Sequence, residues 1–230
     1  MVFVVDAGSD ATRIDLDTVL GKAVALLRAF SVDDHELSLA TLVERTGLPK
    51  TSVHRIASEL VRYRLLDKTA LGYRLSGGLF ELGMRASVER SLLELAMPFL
   101  QDLYERTHET VHLGVREGRE VVYVAKITGR GQVVSPSRTG GRMPLHCTAI
   151  GKVLLAWADD ELRHEVLAGA LARRTPHTIV APGLLTRQLE GAVEAGVAFE
   201  REESALGVRC VAAPVLDDDD RILAAISVTG

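Results

Sequence analysis

Cysteine is scarce in this sequence. Cys147 and Cys210 are the only two, too few for a disulfide framework and without zinc-finger spacing, so a reducing cytoplasm is the compartment implied. Long uninterrupted apolar runs are missing too, which excludes a transmembrane helix and with it a membrane partner. The opening Met1-Val2-Phe3-Val4-Val5-Asp6 has neither a basic region nor an extended apolar stretch, and does not read as a secretory signal. Nor is there a strong net charge: −4 does not announce a nucleic-acid partner. No Ser/His/Asp set and no paired-carboxylate pattern stands out, so no catalytic residue is assigned and no metal or cofactor is implied.

What remains is an ordinary globular composition, 47% hydrophobic and 25% charged. A chain of 230 residues suits one small and one medium domain, each able to bury a core. The charge is unevenly spread. Residues 45–76 hold seven basic side chains (Arg45, Lys50, Arg55, Arg62, Arg64, Lys68, Arg74) against Glu59 and Asp67, a local balance of +5 that leaves −9 for the rest. A basic island in an acidic chain fits a polyanion partner, although a solvated basic face gives the same count.

Residues 1–14 show no sustained period and read as a mobile tail. From Asp15 to Phe30 the apolar positions Leu16, Val19, Leu20, Ala23, Val24, Leu27 and Phe30 recur at helical spacing. Leu39, Leu42 and Val43 mark a short second helix. Gly47 follows where a left-handed residue closes a helix cheaply, and Pro49 suits the entry to the next. That third helix keeps Val53, Ile56, Ala57 and Leu60 on one side and Thr51, Arg55, Ser58 and Arg62 on the other. Two short helices joined by a turn of about four residues form a helix-turn-helix, whose second member enters the major groove of double-stranded DNA. Leu65 to Leu75 then reads as two short strands around a polar turn, the β-wing of a winged helix domain over 15–76. Lys50, Lys68 and Arg74 are candidate phosphate contacts. Thr51, Ser52, His54 and Arg55 are candidate base readers, since arginine can pair bidentately with guanine. Capping of the helix start is the competing role for Thr51 and Ser52.

Gly77-Gly78 opens a helical stretch, Leu79 to Val88, that reads as a linker helix within 77–90. An amphipathic helix follows over Leu92–Arg106. Strand patterns are predicted over Thr110–Val115, Glu120–Ile127, Val197–Glu200, Gly207–Val215 and Ile222–Val228. Helices are predicted over Ala149–Trp157, Asp160–Leu167 and Leu184–Ala195. Tight turns between strand patterns imply a central antiparallel sheet flanked by helices, an α+β domain over 91–230.

Three strings resemble enzyme motifs. His108-Glu109-Thr110-Val111-His112 matches the zinc-protease pattern HExxH, which requires both histidines on one face of a helix. Here it runs from a helix end into a strand-like pattern, where the two lie about 13 Å apart at about 3.3 Å per residue. A metal-dependent hydrolase using His108 and His112, with an appended nucleic-acid-binding domain, is nevertheless the alternative reading. Ala149-Ile150-Gly151-Lys152 lacks the first glycine and the closing Ser/Thr of a phosphate loop. Asp217 to Asp220 lacks the alternation and glycine of a calcium loop, and reads as a solvated hairpin turn.

Four segments together resemble the IclR family of transcriptional regulators. They are Gly47 to Arg55 (GLPKTSVHR), Met143 to Lys152 (MPLHCTAIGK), Ser204 to Val215 (SALGVRCVAAPV) and Ala224 to Gly230 (AAISVTG). Their order, and their spread from about residue 16 to residue 230, make the resemblance specific. It implies a winged helix-turn-helix, a linker helix and a GAF-like effector domain, arranged as a homodimer or homotetramer on a palindromic operator. The implied effector is a small organic acid or aromatic catabolite. The implied pocket uses Ser135 and Met143 at its lip, Ala149 and Ile150 at a helix start, Glu200, Val208 and Cys210 on strands, and Ser227 and Thr229 on the last strand. Amides at the start of the Ala149 helix suit an anionic ligand. Family members usually continue past the Ser-Val-Thr-Gly motif into a final helix, whereas this sequence ends at Gly230.

Overall fold

The structure, a computed structural model, describes residues 14–31, 34–83, 85, 87–129 and 136–230. The tail expected over 1–14 lies outside them except for Ile14. The described chain falls into two compact units, divided between Arg90 and Ser91.

In the first unit, α1 (Val19–Arg28) starts where the Thr18 hydroxyl accepts the Gly21 amide at 3.0 Å. The helix expected from Asp15 thus begins four residues later, because Asp15 turns the chain instead: its carbonyl accepts the Thr18 amide and hydroxyl. In α2 (Leu39–Thr46) the Ser38 hydroxyl caps the Thr41 amide, and Gly47 closes the helix at φ 67°, its amide returning to the Val43 carbonyl. α3 (Lys50–Arg62) buries Val53, Ile56, Ala57 and Leu60, as its spacing predicts. The wing is β1 (Leu66–Lys68) against β2 (Tyr73–Leu75), and Leu37 adds a bridge to Tyr73. Leu26, Leu42, Val53, Ile56 and Leu66 meet in one core, enough to fix three short helices that would be marginal alone.

Helix α4 (Gly77–Gly83) is shorter than the stretch expected to Val88. Ser87 and Val88 belong to α5 (Ser87–Thr107), which also starts five residues before the expected Leu92. Gly83 is a poor interior helix residue and the first helix stops there.

The second unit is built on six antiparallel strands in the order β5-β4-β3-β8-β7-β6. These are β3 (Thr110–Glu117), β4 (Glu120–Ile127), β5 (Arg142–Pro144), β6 (Ala198–Arg201), β7 (Arg209–Leu216) and β8 (Ile222–Thr229). The short β5 carried no recognisable pattern. Asp217 to Asp220 forms the β7–β8 turn, with the Asp217 carboxylate accepting the Asp219 and Arg221 amides.

One face of this sheet carries α5, through Ala96 and Leu100 on Val111, Leu113, Ala125 and Ala224. The other carries α6 (Ala149–Ala156), with α7 (Asp160–Ala168) and α8 (Pro182–Ala195) packed in the same core. Every residue of α6 is buried. A β-bulge between β3 and β4 pairs Leu113 with Ala125 but Gly114 with Tyr123. It switches side-chain parity, so Ala125 meets α5 while Tyr123 and Val121 join the α6 core. His112 and Gly114 alternate with Val111 and Leu113 along β3 and so lie on the α6 side.

Gly47→Val is expected to lower the stability of the first unit by about 1–2 kcal/mol, since a Cβ there meets no neighbour and the cost is the left-handed backbone alone. Gly47→Asn is expected to cost less; equilibrium urea unfolding of both variants checks the difference.

Candidate functional site

The first unit presents an open polar helix face. Lys50, Thr51, His54, Arg55, Ser58 and Arg62 on α3 are exposed, and Ser52 is half-buried. Pro49 occupies the N-cap position, and among the described residues no side chain caps the first-turn amides. Thr51 and Ser52 therefore do not cap the helix, and the amide-rich, electropositive end of α3 suits an anion. Arg55 lies 3.8 Å from Glu59, with both side chains largely in solvent, a pairing weak enough to exchange for another partner. Ser58 instead bonds back to the His54 carbonyl at 2.8 Å. On the wing, Lys68 is exposed, whereas Arg74 already reaches Asp67 across the strands at 3.1 Å.

In the second unit, Met143, Ala149, Ile150, Glu200, Val208, Cys210, Ser227 and Thr229 line a single narrow pocket of about 280 Å³, counted with its mouth and the gaps between its wall atoms. These are eight of the nine residues expected there; Ser135 lies outside the described residues. Five further lining residues, His112, Tyr123, Pro136, Ser137 and Ser204, were not anticipated. α6 supplies the roof: the Thr148 hydroxyl caps the Gly151 amide at 3.0 Å, leaving Ala149 and Ile150 in the electropositive first turn. Gly151 permits this placement, because a Cβ would sit 2.3 Å from the Leu145 carbonyl oxygen.

Strand register supplies the floor. His112 on β3 pairs with Ser227 on β8, and Cys210 on β7 pairs with Thr229 on β8 and Glu200 on β6. His112 Nε2 lies 2.7 Å from Ser137 Oγ, and its Nδ1 lies 3.4 Å from both Ser227 Oγ and Thr229 Oγ1. Cys210 Sγ is 3.1 Å from Thr229 Oγ1. The ring of Tyr123 stands edge-on to His112 at 5.2 Å. Glu200 Oε1 accepts the Ser204 amide at 2.9 Å and the Ser204 hydroxyl.

Burial controls the charges here. It pushes the His112 pKa down to about 4, with Lys126 adding repulsion. It raises the Glu200 carboxyl against the opposing Ser204 hydrogen bonds. It also raises the Tyr123 phenol and the Cys210 thiol, and pushes Cys147, buried just behind the pocket, up to about 12. At neutral pH the imidazole is neutral and both thiols are protonated, and no lysine or arginine lines the pocket among the described residues.

The metal reading loses its geometry. His108 sits in a left-handed conformation (φ 58°) past the end of α5 and is exposed, while His112 is buried on β3. No group of three metal-binding side chains occurs among the described residues. No helix among them is long and apolar enough to cross a membrane.

A winged helix with an open basic reading face, joined in one chain to a domain enclosing a polar pocket, defines a ligand-responsive DNA-binding regulator. Residues 19–70 match the IclR helix-turn-helix domain, and residues 84–230 match the C-terminal domain described as bacterial transcriptional regulator IclR C-terminal. The chain belongs to the IclR family of transcriptional regulators. It is 35% identical to the regulator XynR of Escherichia coli K12 over 211 residues, covering 90% of this chain and 84% of XynR. It is 32% identical to KdgR of the same strain, covering 94% and 85%. A solved IclR homologue from Microbacterium hydrocarbonoxydans, complexed with 4-hydroxybenzoate, superposes with a TM-score of 0.86 at 30% identity, covering 92% of this chain and 88% of that one. The Thermotoga maritima IclR structure gives 0.74 at 28% identity, with 92% and 86% covered.

The lowered His112 pKa makes stability depend on pH. Between about 4 and the ordinary 6.5 the unfolded chain binds a proton that the folded chain refuses. The His112 contribution is therefore intact above pH 6.5 and lost as pH falls toward 4. Glu200, raised by burial, acts in the opposite sense, favouring the fold below the usual carboxylate range and losing that advantage as pH rises. His112→Gln is expected to remove about 3 kcal/mol of the stability lost between neutral pH and pH 4, measured by denaturant unfolding of variant and parent at both values.

Proposed function

We propose that residues 15–76 read a palindromic operator in double-stranded DNA as part of a two-fold dimer, that 77–90 connect the domains, and that 91–230 bind a small organic acid or aromatic catabolite. In this reading the protein acts in the cytoplasm as a homodimer or homotetramer controlling a catabolic operon. Lys50 and Lys68 meet phosphates, and Arg74 does so by exchanging its Asp67 partner. Thr51, Ser52, His54 and Arg55 stand nearest the base edges. The convergence of residues from β3, β6, β7, β8 and α6 on one enclosed polar pocket is the observation that supports the effector half of this reading.

The pocket chemistry narrows the ligand. With no cation in the lining among the described residues, a carboxylate is received by the first-turn amides at Ala149 and Ile150. Ser227, Thr229, Ser204 and His112 offer neutral donors and acceptors, and Glu200, with its raised proton affinity, accepts from or donates to a ligand hydroxyl. The aromatic hydroxy acid held by the Microbacterium homologue fits this description. Effector binding changes DNA affinity to the extent that the ligand prefers one arrangement of the paired winged helices over the other.

Arg55→Ala is expected to weaken binding to the cognate operator by about 5- to 150-fold, the equivalent of one bidentate base contact at about 1–3 kcal/mol. Fold and oligomeric state should be unchanged, and unaltered affinity and selectivity in a gel-shift titration would remove Arg55 from base reading. Ser227→Ala is expected to leave DNA binding intact but to shift the effector response to higher ligand concentration. That response is read by gel shift across a panel of small organic acids, with ligand-induced thermal stabilisation as the independent measure.

A further inference from the structure

A second cleft opens on the far side of α6. It occupies about 930 Å³, counted with its mouth, beside α8 and the edge strand β6, and shares no lining residue with the first pocket. Ile150 of α6 lines the first cavity and Lys152 lines the second.

The charged groups of this cleft are unevenly satisfied. The Lys152 ammonium is almost fully buried and donates to Gln188 Oε1 at 2.6 Å, the Phe199 carbonyl at 3.1 Å and Glu203 Oε1 at 2.5 Å, which uses all three of its protons. Glu203 is also buried, with its side chain 5% exposed. Its second oxygen, Oε2, has no hydrogen-bond partner among the described residues. A buried carboxylate oxygen left alone is unfavourable, and the group it lacks is a donor. Arg201, also lining the cleft, is exposed and makes no ion pair or side-chain hydrogen bond among the described residues. Ile179, Val197 and Ala195 contribute apolar wall.

We propose that this cleft is a second small-molecule site, for an organic acid carrying a hydroxyl on an apolar body. The hydroxyl donates to Glu203 Oε2, the body lies on Ile179 and Val197, and the carboxylate meets Arg201. Oε2 is closed to a water-sized group in this arrangement, so the hydroxyl meets it by turning the Glu203 carboxylate toward the cleft, a movement that a hydroxyl requires to a smaller extent than a bulkier donor. The proposal stands independently of the ligand assigned to the first pocket.

The test uses the full chain, 4-hydroxyphenylacetate as probe and phenylacetate as the analogue lacking the donor, followed by backbone amide NMR. Saturable shifts are expected at Ala192 and Ala195, with 4-hydroxyphenylacetate bound at least about tenfold more tightly, since a site built to receive a hydroxyl rejects the analogue without it. Gly191→Trp should abolish these shifts. Gly191 lines the cleft and a Cβ there meets nothing within 4 Å, so the new side chain starts in open space at the cleft wall. Glu203→Gln, which keeps an oxygen for Lys152 and replaces the other by an amide NH₂, should erase the preference for the hydroxylated acid. Absence of saturable shifts up to about 10 mM, a range that captures a Kd near 1 mM, overturns the proposal. So does equal affinity for the two acids, or binding that survives in Gly191→Trp. Amide shifts at Ala149 and Ile150 report the first pocket separately, so failure at one cavity is not mistaken for failure at the other.

Discussion

The close approach of α6 to the sheet is the constraint on which the second unit depends. Two glycines permit it: a Cβ on Gly151 would strike the Leu145 carbonyl, and one on Gly114 would come within 2.9 Å of Ile150. With nothing between them, the helix start lies directly over the side chains of β3, β7 and β8. Backbone amides above and hydroxyl, imidazole, thiol and carboxyl groups below then share a small enclosed volume. The same burial that makes this enclosure holds His112 neutral and raises the proton affinity of Glu200. Among the described residues the pocket wall is therefore polar with little fixed charge, suited to hydrogen bonding more than to net electrostatic attraction.

The helix also divides the unit's interior. Its sheet-facing side contributes Ala149 and Ile150 to one cavity, while Lys152 reaches another and is held there by Gln188, Phe199 and Glu203. The segment from Glu200 to Ser204 touches both, with Glu200 and Ser204 lining the first and Arg201 and Glu203 the second. A buried ion pair gains little over an apolar one unless its remaining groups are satisfied. The solitary oxygen of Glu203 is consequently a more informative feature than the salt bridge beside it.

In the first unit the division of labour is simpler. One side of α3 holds the core together and the other stays in solvent, its entry residue Pro49 leaving the first amides without a side-chain acceptor. The stability of the unit and the chemistry of its surface thus fall on different residues of one helix. Substitutions at Arg55 or His54 alter the exposed face without reaching Ile56 or Leu60 in the core.

Local pattern made most of this architecture legible. The spacing of Val53, Ile56, Ala57 and Leu60, the glycine at 47 and the proline at 49 determined the helix-turn-helix, because caps and amphipathic periods act within a few residues. The alternating segments of the second unit specified its five longer strands in the same way. The resemblance to a known family, carried by four short motifs, brought out eight pocket residues that no period would have grouped. What pattern could not determine was juxtaposition. His112 appeared only as half of a metal-binding string, and its place beside Ser137, Ser227 and Thr229 depends on pairing between strands more than a hundred residues apart. The Gly114–Tyr123 bulge, which turns Tyr123 toward that site, and the union of Lys152 with Glu203 arise likewise from contacts between distant segments. The sequence by itself settled most of which stretches become helix or strand and which faces they bury, since those preferences are local; the short β5 and the division between α4 and α5 were the exceptions. Only the tertiary structure decided which polar side chains share a cavity, since that follows from strand register and from how closely one buried helix can approach the sheet.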